Sequence, residues 1–235
     1  MNALIDTTPR WQFDRRQPLA QQVYADLRRR IISLELPPDS PLSRVELSQY
    51  YQISQTPLRE ALQKLDEEGL VATYPQSRTE VSRIDVGQIL EAQFLRTAVE
   101  ADIVARLAAD PEKAKLAAAQ DTHDRLARSW EHEHSLEDFS ELDRQFHRDL
   151  YAAAGMANLV DLVETRCGQL DRIRRLHLQW FNDRKPEKVV SDHRAILDAI
   201  LQSDVAGAQR ALREHLAGTI GRLDVLRANY PDYFS

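Results

Sequence analysis

The chain has 235 residues, of which 43% are hydrophobic and 29% charged, so its composition supports a packed core rather than intrinsic disorder. Its single cysteine excludes a disulfide framework and a cysteine-rich zinc module, and the sequence contains neither the common phosphate-binding glycine motifs nor the hydrolase motif G-x-S-x-G. We expect a cytoplasmic protein without a membrane partner, because no uncharged run is long enough to span a bilayer and the N-terminus lacks the apolar core of a signal peptide.

Charge and proline content divide the chain into two parts. Residues 1–64 carry nine Lys/Arg and seven Asp/Glu, whereas the rest carries 22 and 30, so a slightly basic front precedes an acidic rear. Seven of the ten prolines lie in the first 75 residues, and the remainder has the pattern of long helices. We therefore predict a loose arm over residues 1–17, a small domain over 18–84 and a helical domain over 85–235, with different partners.

The small domain is predicted to contain three helices followed by a hairpin. Ser43 and Glu46 have the spacing of a capping box, Thr56 before Pro57 is typical of a helix start, and Gly69 is typical of a helix end. The predicted elements are helices over 18–33, from Ser43 and from Thr56 to Gly69, then short strands over 70–74 and 79–83. This order predicts a winged helix-turn-helix.

The third predicted helix carries polar residues on the face opposite its leucines. Thr56, Arg59 and Gln63 lie on that face, and Gln55 stands just before the helix. A helix with such side chains near its N-terminus can enter the major groove of DNA, where Arg59 matches guanine and Gln55 matches adenine. An ordinary solvated helix face is the alternative, but the helix order and the hairpin favour DNA binding.

The rest of the chain is predicted to be an all-α bundle. Asp85, Ser135 and Asp204 suit helix N-caps, and apolar stripes mark the faces that would be buried. A Glu-His-Glu-His stretch at 131–134 is predicted to be a solvated loop. The six predicted helices span residues 86–109, 111–130, 136–154, 157–180, 187–202 and 205–229.

Four polar residues lie beside the apolar stripes of three of these helices. Asp143 and His147 are four positions apart and share a helix face, and His193 and His215 lie next to the stripes of two later helices. One carboxylate and three imidazoles can converge in a bundle core, where they suit Zn, Ni, Mn or Fe better than Ca. Spacing alone leaves the alternatives open, since a histidine beside a stripe is commonly structural and Asp143–His147 can be a plain pair.

The small domain resembles the DNA-binding domain of the GntR family of bacterial transcription regulators. The resemblance covers residues 43–83 and is most specific in the ungapped stretch SQTPLREALQKLDEEGLVATYP at 54–75. Gln55 and Val45 replace arginines that are common in the family, so the resemblance does not imply the family's usual operator sequence. The wing tip at 76–79 lacks the usual glycine, so the resemblance does not imply the usual contact of the wing with the groove. The candidate DNA-contacting residues are Arg44, Gln55, Thr56, Arg59 and Arg78.

The rear domain resembles the FCD effector-binding domain of the FadR subfamily of these regulators. The resemblance rests on Leu95-Arg96 with Glu100, Asp143-x-x-Phe146-His147-x-x-Leu150, Gly155 with Asn158 and Leu159, His193 with Ile196, and Arg213-x-His215-Leu216. It implies that a divalent transition metal, zinc first and nickel, manganese or iron as alternatives, is held by Asp143, His147, His193 and His215. Six helices rather than seven place the chain with the shorter, VanR-like branch.

The two resemblances imply a metabolite-responsive regulator, expected to be a repressor and not an enzyme, that binds an inverted-repeat operator in double-stranded DNA as a homodimer. A small organic-acid effector is expected between the metal and Arg96, because a guanidinium matches a carboxylate; a plain i, i+4 pair of Arg96 with Glu100 is the alternative. Two other functions remain open. They are a His/Asp metalloenzyme that activates water, for which no general base is evident, and an effector-independent DNA-binding dimer.

Overall fold

The computed structural model describes residues 13–75, 77–132, 136–180 and 185–235, which are mainly α-helical and divide into two compact units. This confirms the predicted fold class, a winged helix-turn-helix followed by an all-α domain. The arm residues 1–12, Gln76 of the wing tip, and residues 133–135 of the predicted solvated loop lie outside the described residues. Within the described part of the chain, no helix is both long and apolar enough to cross a membrane.

The first unit contains the predicted three helices and hairpin. Its elements are α1 (Leu19–Ile32), α2 (Arg44–Tyr51), α3 (Gln55–Glu67), β1 (Val71–Thr73) and β2 (Thr79–Val81). The strands are antiparallel, and Val71 is paired with Val81. The helices surround an apolar core that includes Leu27, Leu47 and Leu62.

The helix ends of this unit follow the sequence signals with one correction. Ser43 caps α2 as predicted, since its hydroxyl accepts a hydrogen bond from the backbone N–H of Glu46. The N-cap of α3 is Ser54 rather than Thr56, so Pro57 lies in the first turn but not at its first position. Gly69 follows α3 with a φ of 69°, a left-handed conformation that glycine adopts without strain.

Two later segments of the chain also belong to the first unit, which is therefore wider than residues 18–84. They are Gly168–Arg175 and Arg227–Ser235. Gln169 donates a hydrogen bond of 2.6 Å to the carbonyl of Gly69, and the backbone N–H of Ile84 donates to the carbonyl of Tyr233 at 2.7 Å. Both segments thus pack against the elements that follow α3.

The second unit is built from helices, and two of the six predicted helices are broken. The helices of the rear chain are α4 (Val86–Ala109), α5 (Lys113–His132), α6 (Leu136–Ala153), α7 (Val160–Arg166), α8 (Gly168–Trp180), α9 (Lys185–Leu201), α10 (Val205–Ile220) and α11 (Leu223–Asn229). A single helix over 157–180 is wrong, because a 3-10 turn, α7 and α8 take its place, with the break at Cys167. A single helix over 205–229 is also wrong, because α10 ends before Gly221.

A glycine lies at each break, and glycine weakens a helix interior. At Gly168 there is a further constraint, because a Cβ atom there would lie only 2.9 Å from a methyl carbon of Leu70. A side chain at this first residue of α8 would therefore require Leu70 to shift. In the second unit, α5 packs against α6 and α9, and α9 packs against α10, which brings together the three helices that carry the predicted metal ligands.

Candidate metal centre

The four side chains predicted to bind metal meet in the interior of the second unit. Asp143 and His147 project from α6, His193 from α9 and His215 from α10, and one ligand atom of each lies within 4.8 Å of all the others. All four residues are buried, and His193 has no exposed surface. The helix stripes cause this placement, because on α6 these two residues alternate with the buried Phe139, Phe146 and Leu150.

The contacts within the cluster bring ring nitrogens and a carboxylate oxygen close to one another. The Nε2 atoms of His147 and His215 are 3.1 Å apart, and Nε2 of His193 is 3.3 Å from Oδ1 of Asp143. The ring of His193 stacks on Phe146 with a centroid distance of 3.8 Å, which fixes its plane. Two imidazole nitrogens at 3.1 Å need a proton or a cation between them, because two lone pairs repel.

Burial keeps two histidines of the cluster, His147 and His193, neutral. Removal from water is the main cause that lowers the pKa of His147, and it lowers the pKa of His193 to about 3. Both imidazoles are therefore uncharged at neutral pH and have a lone pair to give to a metal. A buried donor set of three imidazoles and one carboxylate fits a borderline divalent ion such as zinc, nickel, manganese or iron.

A buried ion pair lies behind the cluster. Nε of Arg96 donates to Oε1 of Glu100 at 2.6 Å, and Oε2 of Glu100 lies 2.8 Å from Nδ1 of His147. Burial opposes the charge on Glu100, but Arg96 and His147 outweigh it and hold the pKa of Glu100 below its usual value. The structure thus contains the i, i+4 ion pair of Arg96 with Glu100 that the sequence spacing indicated as the alternative. The role of Arg96 in effector binding stays a prediction.

Sequence reasoning missed two carboxylates behind the histidines. Besides Glu100 behind His147, Oδ2 of Asp192 lies 3.6 Å from Nδ1 of His215. Asp192 immediately precedes the predicted ligand His193, and this proximity in sequence indicated that its carboxylate lies near the cluster. Glu100 gave a weaker signal, because it was recognised as the partner of Arg96 while the helix that places it beside His147 is distant in sequence.

The predicted DNA-contacting residues all lie in the first unit and are exposed. Arg44, Thr56 and Arg59 are free of ion pairs among the described residues and lie at or near the start of α2 or α3. Gln55 is tied to α2, since its Nε2 donates to Oγ of Ser48 at 2.7 Å. Arg78 in the wing pairs with Glu80 at 2.7 Å and lies over the ring of Tyr74.

Among the described side chains, the remaining histidines do not join the cluster. His123 and His177 are buried elsewhere, and burial lowers the pKa of His123. His132 and His134 were predicted to be solvated, and their side chains lie outside the described residues. The metal prediction therefore depends on the four residues of the cluster.

Comparison with protein families matches both parts of the chain. Residues 19–81 match the family profile described as "Bacterial regulatory proteins, gntR family", and residues 89–218 match the FCD domain. An HTH-type transcriptional regulator in an unstable DNA locus of Streptomyces ambofaciens is 37% identical over 92% of this chain and 89% of its own length. The HTH-type transcriptional repressor RspR of Escherichia coli K12 is 31% identical over 95% of this chain and 97% of its own length.

Solved structures support the same fold. E. coli McbR/YncC superposes with a TM-score of 0.71 at 22% identity, covering 90% of this chain and 98% of that one. A GntR-type regulator from Rhodococcus sp. RHA1 gives a TM-score of 0.67 at 22% identity, covering 86% and 97%. At such identities the likeness concerns the fold alone.

Proposed function

We propose that this chain, which belongs to the GntR family of bacterial regulatory proteins and carries an FCD domain, is a metal-dependent, metabolite-responsive repressor. As a member of that family it is a DNA-binding transcription regulator and not an enzyme. We assign it to the FadR subfamily and place its action in the bacterial cytoplasm. The described rear helices number eight rather than six, so the helix count does not support the VanR-like branch. The observation that carries the proposal is the buried cluster of Asp143, His147, His193 and His215, in a chain whose α3 presents exposed polar side chains.

Residues 18–84 form the operator-reading domain of this proposal. Thr56 and Arg59 on α3 face the major groove, with Arg59 on a guanine, and Gln55 beside them selects adenine. Arg44 and Arg78 are exposed and contact the phosphate backbone, which fixes the register of the domain on the duplex. Gln55 needs to leave its hydrogen bond to Ser48, or to share it, in order to reach a base edge.

Two copies of the chain bind the two halves of an inverted repeat. The exposed face of α4 supports this part of the proposal, because Leu90 and Phe94 are 49% and 77% exposed on one side of the helix. An aromatic ring that is this exposed is typical of a protein–protein contact. A second copy that packs the same face of α4 buries these side chains in an isologous contact.

The effector is a small organic acid held at the metal. Asp143, His147, His193 and His215 hold the ion, and the ion supplies Lewis acidity that attracts carboxylate oxygens. Arg96 and His147 contact different oxygens of Glu100, and the bond from Arg96 uses only Nε. Its remaining N–H groups provide the matching cation for a carboxylate. Binding there shifts the dimer between DNA-competent and DNA-incompetent arrangements, a coupling of two sites.

The proposal is tested with operator DNA obtained by selection from a random library with the purified protein. Native mass spectrometry of the same sample reports the dimer, the metal and any ligand carried through purification. A panel of di- and tricarboxylates and hydroxy acids is then scored for release of the operator by metal-loaded and metal-stripped protein. We expect one class of acid to release DNA from loaded protein only, and to lose affinity in Arg96→Gln.

Three results would contradict parts of this proposal. Operator binding that no acid changes would leave an effector-independent DNA-binding dimer. A ligand that binds equally well to stripped protein would remove the metal from the effector site. Unchanged ligand affinity in Arg96→Gln, with Asp102→Asn as a control for a charge change elsewhere on α4, would remove Arg96.

A further inference from the structure

Glu100 occupies an unusual place for an acidic residue, because it is buried beside a neutral imidazole and contacts it directly. Its Oε2 lies 2.8 Å from Nδ1 of His147, and its Oε1 accepts a hydrogen bond of 2.6 Å from Arg96. Only 4% of Glu100 and 7% of Arg96 is exposed. Burial of an ion pair is costly and adds little stability by itself, so its position against His147 calls for another explanation.

We propose that Glu100 is a positioning residue that holds His147 in the tautomer with its proton on Nδ1 and its lone pair on Nε2. The proposal deepens the metal function stated above and rests on it for its purpose. A carboxylate that is ionised has acceptor atoms only, so the nitrogen facing it must carry the hydrogen. Nε2 of His147 then carries the lone pair and faces the cluster, 3.1 Å from Nε2 of His215, from which it accepts a hydrogen bond when no metal is present.

Without Glu100 the opposite tautomer becomes favourable. His147 would then carry its proton on Nε2 and donate it to His215, which satisfies both rings and blocks two of the four ligand atoms. Glu100 excludes this closed arrangement, because it would leave two acceptors, the carboxylate oxygen and the bare Nδ1, facing each other at 2.8 Å. A carboxylate behind an imidazole also makes the ring a better electron donor to a metal.

Arg96 completes the arrangement by compensating the charge of Glu100. The ion pair is i, i+4 on α4, so one helix supplies both partners and no long-range adjustment is needed. The same pattern recurs in weaker form at His215, where Asp192 lies 3.6 Å from Nδ1. Asp192 is half-buried and also paired with Lys188, so it constrains its histidine less. This difference provides a matched control within the same cluster.

The experiment measures the His147 tautomer first, in metal-free protein, by ¹⁵N NMR of the imidazole rings. We expect the Nδ1–H form in the wild type and a mixture or the Nε2–H form in Glu100→Gln. The double variant Arg96→Met/Glu100→Gln removes the unpaired buried cation that the single variant leaves. We expect the folded double variant to show the same change in the tautomer of His147. Asp192→Asn should leave the tautomer of His147 unchanged.

Zinc affinity is then measured by competition with a chelator. We expect Glu100→Gln and the double variant to lose about 10- to 100-fold in affinity, and Asp192→Asn to lose less. An Nε2–H tautomer in wild-type protein, or wild-type zinc affinity in both Glu100 variants, would overturn the proposal. A wild type with the Nδ1–H tautomer that binds no metal would uphold the positioning by Glu100 and contradict the metal function instead.

Discussion

The candidate functional residues are exposed in the first unit and buried in the second. In the first unit, Arg59 and Thr56 are in solvent, and water satisfies them whether or not DNA is present. In the second unit, Asp143, His147 and His193 are buried among apolar side chains and shielded from bulk solvent. An exposed polar residue costs the fold almost nothing, whereas a buried polar cluster lowers stability unless it is paired. The second kind of site therefore carries its own physical argument for a ligand, and the first requires evidence from sequence.

The largest effect that this comparison predicts is on the buried cluster. His147→Ala or His193→Ala should abolish stoichiometric metal binding and the rise in thermal stability on metal loading, because a ligand that binds only the folded state stabilises it by about 4 kcal/mol at 1,000 times its Kd. Elemental analysis and thermal melts of loaded and stripped protein measure both. His123→Ala is the control, since this buried histidine lies outside the cluster and should keep the metal-dependent shift. Wild-type protein that stays metal-free after reloading would contradict the prediction.

As the pH falls, the buried cluster of metal-free protein should lose stability before the exposed face of α3 is affected. The pKa of His193 falls from 6.5 to about 3 on burial, so the unfolded chain binds this proton first as the pH decreases. Its contribution to stability is therefore present above pH 6.5 and is lost as the pH falls from there toward 3. Urea titrations of stripped protein across this window should show the loss.

His193→Phe provides the control for the acid prediction. Phenylalanine keeps a flat ring to stack on Phe146 and does not titrate, so the slope of stability against pH should become shallower. An unchanged slope would assign the acid sensitivity to other groups, such as Glu100, whose lowered pKa acts in the same direction.

On the exposed face, Arg59→Ala should weaken specific operator binding by roughly 1–3 kcal/mol without changing thermal stability. Its side chain is solvated in the free protein, so only the complex loses a contact. Binding isotherms on the selected operator and on unrelated DNA measure the effect, with Arg125→Ala in the second unit as the control. An equal loss on both DNAs would make Arg59 a phosphate contact rather than a base contact.

The smallest effect is expected at Gln55, as a change of preference rather than of affinity. Gln55→Arg should shift one position per half-site from adenine toward guanine in a binding-site selection. Ser48→Ala removes the shorter of the two hydrogen bonds that tie Gln55 to α2, and should leave the preferred base unchanged. Identical motifs for the wild type and Gln55→Arg would remove Gln55 from the reading of sequence.

Local sequence patterns predicted the helices and strands. The features that these patterns missed depend on contacts between residues distant in sequence. The cap at Ser43 and the shared face of Asp143 and His147 depend on neighbours within four residues, and both are found in the structure. The close approach of Gly168 to Leu70 joins residues about a hundred positions apart, and no helix pattern contains that information. The contact between Glu100 and His147 was likewise invisible, because it depends on how α4 and α6 pack.

The return of residues 227–235 to the first unit has a consequence for the order of folding. The backbone pairing of Ile84 with the Tyr233–Ser235 segment spans about 150 residues, so it forms only after ribosomes have made the entire rear part. The core around Leu27 and Leu62 can assemble early during synthesis, whereas the last pieces of that unit arrive after the effector-binding helices. A nascent chain therefore completes its DNA-reading unit last, and a chain cut short before Arg227 leaves that unit unfinished.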